Sequence, residues 1–266
     1  MIKFPKIVGI LNVTPDSFSD GGKFIDKRSA VRKALSLLEE GADILDIGGE
    51  STRPGAALID VHTEIERIIP VIKELKQFDK GIKISVDTTK HEVAKEALDA
   101  GCDMLNDVSG LRFDRKIAEL AAIYDVPLIL MHSRHKPSTM QQNPYYANLW
   151  RELIDELTTS IKIAKLSNVN NIIIDPGIGF AKNYEHNLEI LKNIDYLSEL
   201  NCPVMLGISR KSFIGKMLEI ANPAERDFAT ILIHTLLLKN NVDYVRVHNV
   251  RLMNMTKTIM NNLFTL

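Results

Sequence analysis

The chain has 266 residues, 45% of them hydrophobic, and its 33 lysines and arginines nearly balance its 34 aspartates and glutamates, leaving a formal net charge of −1. That balance excludes a bulk electrostatic attraction to nucleic acid or to an anionic membrane surface, and no apolar run reaches the ~20 residues of a membrane span. Two cysteines far apart in the sequence argue against a disulfide framework, and the first residues do not resemble a signal peptide, so we expect a cytoplasmic protein.

Short apolar runs alternate with helix-like patterns along the chain. We predict eight strands, at residues 6–11, 44–47, 82–86, 104–106, 126–131, 171–174, 203–207 and 244–247. Gly41 and Gly101 stand where helices commonly end. Strand–helix alternation of this kind predicts an α/β fold, a (β/α)8 or TIM barrel that fills residues 1–266 as a single domain. A doubly wound open sheet is the alternative.

Nearly every predicted strand runs into a cluster of polar residues, whereas the other ends of the strands carry no such concentration. The clusters lie at residues 12–16, 48–53, 87–88, 106–107, 132–134, 175–177, 209–211 and 246–248. The carboxyl ends of all strands in a (β/α)8 barrel meet at one rim, where active sites lie. Loop polarity and helix capping explain one or two clusters, but not a series so rich in Arg, Lys, His and Asp. We therefore predict an active site at this rim.

The last predicted strand carries two cationic side chains on one face. Alternation puts Arg246 and His248 on the face opposite Val245 and Val247. The apolar face packs against helices, so Arg246 and His248 should point into the mouth of the barrel. Together they predict a site for an anion such as phosphate or diphosphate. An internal salt bridge from Arg246 to an Asp or Glu is the alternative, because an enclosed guanidinium needs a partner.

A second group of side chains should face the same mouth. Alternation pairs Ser85 with Asp87, Met104 with Asn106, and Ile173 with Asp175. Two carboxylates and a carboxamide offer mainly hydrogen-bond acceptors, which suit a flat heterocycle that presents several N–H groups. Met104, Met131 and Phe180 are candidate walls of that pocket. The alternative for Asp87 is that it caps the helix that follows.

Lys211 follows the seventh predicted strand. It could serve as a Schiff-base nucleophile or as a hydrogen-bond donor to substrate, and a solvated lysine is the alternative. The glycines at residues 175–180 predict a tight turn close to a ligand. The charges at residues 90–95 and 99–103 are typical of solvated helix faces. His132 and His135 have no Cys, Asp or Glu near them in the sequence that would complete a metal site.

Taken in chain order, these motifs resemble the dihydropteroate synthase family, the folate-pathway enzymes that sulfonamides target. The matching segments are GILNVTPDSFSDGG at 9–22, DIGGESTRPG at 46–55, SVDT at 85–88, NDVSG at 106–110, MH at 131–132, DPGIGF at 175–180, SRKS at 209–212 and RVH at 246–248. They span almost the whole chain, and the first two are long and highly specific.

The resemblance implies an activity and a set of site residues. The activity is condensation of 6-hydroxymethyl-7,8-dihydropterin diphosphate with p-aminobenzoate to give dihydropteroate and diphosphate, with Mg²⁺ as cofactor and a homodimer as the assembly. The implied catalytic residues are Lys211, Asp87, Asp175 and Arg53. The implied pterin-binding residues are Asp87, Asn106, Met131, Asp175, Phe180, Gly207 and Lys211. Asn12, Thr52, Arg53, Arg246 and His248 would bind the diphosphate, and Asn12 also the Mg²⁺. Thr52, Pro54, Phe180, Lys211 and Ser212 would bind p-aminobenzoate.

Several positions depart from the usual pattern of the family. They are residues 132–137, Ala181 in place of a glycine, Asn249 in place of an aspartate, and the tail at 252–254. These departures concern the shape of loops and leave the principal ligands in place. The connections at 14–23 and 51–57 are long and carry glycines, so we expect them to be mobile when empty and Arg53 to close over a bound anion.

Three other functions stay open. A pterin-dependent methyltransferase domain resembles this fold, but it binds no diphosphate, so Arg53, Arg246 and His248 favour the synthase. A Schiff-base aldolase would use Lys211 and could be trapped with borohydride. A non-catalytic pterin-binding paralogue would bind ligand without releasing diphosphate.

Overall fold

The protein is described here by a computed structural model that covers residues 3–14, 27–51, 55–135 and 139–264. Its strands are β1 (Lys6–Asn12), β2 (Ile44–Gly48), β3 (Ile84–Asp87), β4 (Met104–Asp107), β5 (Leu128–Met131), β6 (Ile172–Asp175), β7 (Met205–Leu206) and β8 (Tyr244–Val247). The last residue of each strand lies within two residues of the predicted last residue. The strand β7 begins later than predicted, and Pro203, which has no amide hydrogen for a strand ladder, lies before its first residue.

The α-helices fill the connections between strands. They are α1 (Lys27–Glu39), α2 (Val61–Phe78), α3 (His91–Asp99), α4 (Lys116–Ile123), α5 (Leu149–Leu166), α6 (Tyr184–Lys192), α7 (Ser212–Leu218), α8 (Asp227–Leu236) and α9 (Val250–Phe264). Gly41 and Gly101 follow α1 and α3 with φ of 103° and 101°, the left-handed region that glycine adopts without strain. No helix within the described ranges is long and apolar enough to cross a lipid bilayer.

The strands form one parallel sheet that curls into a barrel. Their order is β6-β5-β4-β3-β2-β1-β8-β7, and a parallel bridge between Ile174 and Val204 joins the two ends. The predicted (β/α)8 barrel is thus confirmed, and the open-sheet alternative is wrong. All carboxyl ends consequently meet at one rim.

The two faces of the strands have different roles. Outward residues such as Ile7, Leu45 and Val245 belong to the large core shared with the helices. Inside the barrel, a smaller apolar cluster forms a floor from Val8, Ile44, Met104, Ile129, Ile173 and Met205. Because side chains alternate along a strand, the inward residues two positions further on stand above this floor. They are Asp46, Asn106, Met131, Asp175 and Gly207, with Arg246 on β8.

Parts of the chain singled out by sequence lie outside the described residues. These are residues 15–26 and 52–54, which include most of the connection at 14–23, together with Thr52, Arg53 and Pro54. The expected mobility of these connections and the closure of Arg53 stay predictions.

Candidate active site

Arg246 lies at the centre of the barrel mouth, bonded to two carboxylates. Its Nε donates to Asp46 Oδ2 at 2.6 Å and its Nη2 to Asp87 Oδ2 at 3.0 Å. The Asp46 side chain is 1% exposed. The internal salt bridge that the sequence left as an alternative is therefore present. The reading of Asp87 as a helix cap is wrong, since the residue preceding α3 is Lys90.

The two carboxylates share one guanidinium in a buried setting. Burial raises the pKa of Asp87 to about 8, against the lowering influence of Arg246 and with the help of the nearby Asp46 charge. The pKa of Arg246 is raised, because Asp46 and Asp87 outweigh the opposing effect of burial. Asp87 can consequently hold a proton near neutral pH and act as a donor as well as an acceptor.

Asn106 presents an unsatisfied acceptor to the same space. Its Nδ2 donates to Asp46 Oδ2 at 3.2 Å. Its Oδ1, the Oδ1 of Asp46 and the Oγ of Ser85 are buried, and none of the three has a hydrogen-bond partner within the described residues. Buried polar atoms are normally paired, and an unpaired one is costly. The three atoms indicate a site that a ligand with N–H groups would complete.

Two glycines keep this space open. A Cβ at Gly48 would lie 3.5 Å from Asp87 Cβ, and one at Gly207 would lie 3.6 Å from Asp175 Oδ2. A larger side chain at either position would project among the polar groups. Asn12 ends β1 opposite Gly48 in the β1–β2 register, and its side chain is half-buried.

Asp175 ends β6 on the far side of the mouth. It is 3% exposed, and its Oδ1 accepts the Gly177 amide at 2.7 Å. Burial raises the pKa of Asp175, while Lys211 and the Gly177 amide oppose the shift. Met131 is its register partner on β5 and is 4% exposed. The pair places a carboxylate beside an apolar wall.

Lys211 is half-buried at the start of α7, so the reading as a solvated lysine is wrong. Its Nζ donates to the Ile178 carbonyl and lies 4.6 Å from the centre of the Phe180 ring. Burial lowers the pKa of Lys211 to about 8, an effect that Asp175 opposes. Ser212, the first residue of α7, is exposed at the rim.

His248 directly follows β8 and is oriented by Ser209. The His248 amide and its Nδ1 lie 3.1 and 3.0 Å from Ser209 Oγ. Asn249, one of the departures from the family pattern, accepts the Leu252 amide at 3.0 Å and donates to Asp227 at 3.2 Å. An aspartate could make only the first of these bonds when ionised.

A cavity lies at this rim. Its lining includes Asp87, Thr88, Phe180, Val108, Phe113, Ser133, His135, Glu50, Leu58, Glu64 and Thr89. Asp87 and Phe180, predicted to bind the same ligand, therefore border one space. No group of three or more His, Cys, Asp or Glu side chains among the described residues is arranged to hold a metal.

Sequence reasoning missed several charged residues around the site. Lys90 was interpreted as solvated, but its Nζ contacts the carboxylates of Glu50 and Glu64, and the Glu64 side chain is fully buried. Asp46, to which the sequence assigned no role, contacts both Arg246 and Asn106. Lys182 and His132 form a buried contact that no sequence pattern indicated, because their spacing in the chain has no regular period.

The fold and these side chains define a (β/α)8-barrel enzyme with a polar ligand site at the carboxyl rim of its strands. The sequence profile described as "Pterin binding enzyme" matches residues 8–248. A dihydropteroate synthase of Clostridium beijerinckii is 45% identical over 248 residues, which cover 92% of this chain and 88% of that protein. The chain therefore belongs to the pterin-binding enzyme family, among the dihydropteroate synthases.

Solved structures agree with this assignment. The dihydropteroate synthase of Xanthomonas albilineans with 4-aminobenzoic acid superposes with a TM-score of 0.91 at 38% identity, covering 100% of this chain and 95% of that one. The same enzyme in complex with 7,8-dihydropteroate gives a TM-score of 0.88 at 35% identity, covering 100% and 96%.

Proposed function

We propose that this chain is a transferase that condenses 6-hydroxymethyl-7,8-dihydropterin diphosphate with p-aminobenzoate, forming 7,8-dihydropteroate and releasing diphosphate. The observation that carries the proposal is the buried, unpaired Asn106 Oδ1, which lies beside Asp46 and Asp87 at the barrel mouth. A pterin ring offers N–H groups to such acceptors. The Xanthomonas albilineans structures, solved with 4-aminobenzoic acid and with 7,8-dihydropteroate, support one of the proposed substrates and the proposed product.

The pterin is assigned to the deep part of the site. Asn106 and Asp175 accept its N–H groups. Asp87 carries a proton near neutral pH, so it can accept an N–H group and also donate a hydrogen bond. Met131 and Phe180 supply apolar walls, and Gly207 leaves room for the ring. Lys211 donates to a ring heteroatom, exchanging its bond to the Ile178 carbonyl for one to substrate.

The diphosphate is assigned to the outer part, with Asn12, Thr52, Arg53, Arg246 and His248 as its ligands. A guanidinium has five N–H donors, so bonds to Asp46 and Asp87 leave Arg246 able to donate to an anion as well. Those two carboxylates hold the guanidinium in place before the anion arrives, which lowers the cost of ordering it on binding.

Mg²⁺ is assigned to Asn12 and the diphosphate oxygens. The carboxamide oxygen of Asn12 is a hard ligand suited to Mg²⁺, which usually binds one or two protein groups together with substrate phosphates and water. When bound, the ion would neutralise charge on the leaving diphosphate.

The reaction replaces one bond at the pterin methylene carbon. The C–O bond to diphosphate breaks and a C–N bond to the aminobenzoate amine forms, after which the nitrogen loses one proton. The pterin ring conjugates with the methylene carbon, so a dissociative step leaves a stabilised cation beside the departing anion. Asp175 stabilises that positive charge, while Arg53, Arg246 and His248 hold the diphosphate. Thr52, Pro54, Phe180, Lys211 and Ser212 hold p-aminobenzoate for attack.

An assay of diphosphate release separates this function from its alternatives. We expect release to depend on the pterin substrate and to increase strongly when p-aminobenzoate is added, with dihydropteroate formed in equal amount. A methyltransferase domain or a non-catalytic paralogue would bind pterin without release. Incorporation of label at Lys211 after borohydride treatment with a carbonyl substrate would favour the aldolase instead.

We further propose a homodimer in the cytoplasm. The helices α8 and α9 expose several large apolar side chains: Phe228, Leu232 and Leu236 on the first, and Met255, Ile259 and Leu263 on the second. On α8 they recur every four residues and so form one stripe, and exposed apolar patches of this kind commonly mark protein interfaces. Cys102 and Cys202 are both free thiols, which suits a reducing compartment.

A further inference from the structure

The turn that follows β6 is held by an unusual number of side chains. Four successive carbonyls each accept a side-chain hydrogen bond: Ile178 from Lys211 Nζ, Gly179 from Gln141 Nε2 at 2.5 Å, Phe180 from Lys182 Nζ at 3.1 Å, and Ala181 from the Tyr146 hydroxyl at 3.0 Å. The Gly179 amide donates to Asn187 Oδ1 at 2.7 Å. Loop carbonyls are more often paired with water or backbone. The pattern indicates that this turn is kept in one shape.

The backbone of the turn needs such support. Gly177 has a φ of 67° and Ala181 a φ of 48°, and the second is a conformation that residues with a Cβ rarely adopt. A Cβ at Gly177 would lie 1.9 Å from the His132 carbonyl oxygen, so the turn also packs directly against the residue after β5. Strained backbone persists only where the surroundings enforce it. Contacts from outside the turn are thus required to hold Phe180 where it is.

Lys182 is the most deeply buried member of this set, and the proposed mechanism does not use it. It is 2% exposed, and besides the Phe180 carbonyl its Nζ lies 2.9 Å from His132 Nδ1. Burial and the neighbouring Lys182 lower the pKa of His132 to about 3, so its ring is neutral. Because a lysine ammonium can only donate, Nδ1 must accept, and the ring proton therefore sits on Nε2.

That tautomer connects the turn to a rigid helix. His132 Nε2 lies 3.0 Å from Glu156 Oε2 on α5, a close polar contact whose angle falls outside hydrogen-bond geometry. Burial raises the pKa of Glu156, but contacts with His132 and Arg134 outweigh it and lower the pKa to about 2, so the carboxylate is ionised. The contacts run from Glu156 through His132 and Lys182 to the Phe180 carbonyl. A helix thereby fixes a turn that has few backbone bonds of its own.

We propose that Lys182 is a positioning residue for the condensation reaction, holding Phe180 in the wall of the substrate cavity by joining the Phe180 carbonyl to His132. The inference rests on the proposed function, since it assigns Lys182 to the same site. Lys182 acts through Phe180, which lines the same cavity as Asp87. Burial lowers the pKa of Lys182 to about 7. The neutral amine still has two hydrogens for its two acceptors, so positioning persists on both sides of neutrality.

A double-mutant cycle between Lys182 and Phe180 tests the proposal by steady-state kinetics on the full chain. We expect Lys182→Met to raise the KM for p-aminobenzoate about tenfold and to keep kcat within about threefold of the wild-type value. A tenfold change in KM corresponds to the loss of roughly one buried hydrogen bond. In a Phe180→Ala background the same change should alter KM less than about twofold, because residues acting as a unit are non-additive. Additive effects would overturn the proposal.

Tyr146→Phe provides a milder variant of the same turn. It removes only the hydroxyl that donates to the Ala181 carbonyl, so it keeps the test valid if Lys182→Met does not fold. We expect a smaller rise in the same KM. No rise with either folded variant would overturn the proposal.

Lys76→Met is the control for loss of a half-buried lysine with two hydrogen bonds. Lys76 Nζ donates to the Ile82 carbonyl and to Asp103 Oδ2, both at 2.6 Å, at the opposite end of the barrel. We expect a lower Tm with unchanged KM, whereas an equal rise in KM would overturn the specific role of Lys182.

Failure of the proposed function would be seen separately. Wild-type enzyme that releases no diphosphate refutes the synthase assignment whatever the variants do. A crystal structure of Lys182→Met then tests directly whether Lys182 positions Phe180. A displaced Phe180 ring would support the proposal, and an unmoved ring would overturn it.

Discussion

The guanidinium of Arg246 and the carboxylate of Asp46 are 200 residues apart in the chain and 2.6 Å apart in the barrel. They come from β8 and β2, which lie on either side of β1, and both side chains point inward from the sheet. Asp87 on β3 completes the group with a second bond to the same guanidinium. The protein's own carboxylates therefore orient the cation that is proposed to bind diphosphate.

Arg246→Ala should reduce both stability and anion binding. It leaves Asp46 and Asp87 buried without their cation, and breaking a buried ion pair from one side costs about 3–5 kcal/mol of the free energy of unfolding. Diphosphate binding should weaken by about 2–5 kcal/mol. Denaturant unfolding and calorimetric titration with diphosphate measure the two. Arg151→Ala is the control, since that arginine is 82% exposed on α5. Unchanged diphosphate affinity in Arg246→Ala would contradict the anion site.

Asp175→Asn should weaken pterin binding while the turn keeps its shape. The asparagine oxygen can still accept the Gly177 amide, but an NH₂ group now replaces the second carboxylate oxygen. Donor then faces donor, which costs about 1–3 kcal/mol for each buried group left unpaired. Titration with the pterin substrate measures the loss, and a thermal melt checks the fold. A variant that binds pterin as tightly as wild type would remove Asp175 from the pterin ligands.

Asp87 should make the folded state less stable as pH rises from about 4 to about 8. Its pKa is raised from 3.8 to about 8 by burial, so in this window the folded chain retains a proton that the unfolded chain has released. The free energy of unfolding that protonated Asp87 contributes at low pH is therefore lost as pH rises through that window. Asp87→Asn, which imitates the protonated side chain, should flatten the dependence. Melting temperatures of both proteins across this range test it, and parallel curves would show that Asp87 does not titrate there.

Aminobenzoate is expected to bind appreciably only when pterin and diphosphate are present. Arg53 and Thr52 lie on a glycine-containing connection after β2, whereas Arg246 lies on a rigid strand. A cation on such a connection can close over an anion that is already bound and complete the second pocket. Calorimetry with p-aminobenzoate, with and without diphosphate and a pterin analogue, decides the order. Equal affinity in both titrations would exclude the ordered scheme.

Leu232→Glu should convert the proposed homodimer into monomers. Leu232 is 50% exposed in the middle of the apolar stripe on α8, and a charge there would have to be desolvated in an interface. Sedimentation velocity measures the change. Leu166→Glu, at an exposed apolar side chain at the end of α5, is the control. Wild-type protein that sediments as a monomer would refute the dimer.

Local patterns in the sequence were enough for the fold and for the polar rim at the carboxyl ends of its strands. The periodicity of strands and helices depends on residues only a few positions apart. Such local patterns therefore predicted the eight strands and the rim at their carboxyl ends. The same alternation put Asp87, Asn106, Asp175 and Arg246 inside the barrel, where they lie.

Which of these side chains contact one another depended on the closed barrel. The register between strands brings Arg246 to Asp46 and to Asp87, and Asn106 to Asp46, and no local pattern encodes such a register. Lys182 and His132 meet because the turn after β6 packs on the end of β5, 50 residues earlier. Burial in that packed interior then shifts the pKa of Asp87 and of Lys211, since desolvation is a property of the assembled surroundings and not of the residue itself.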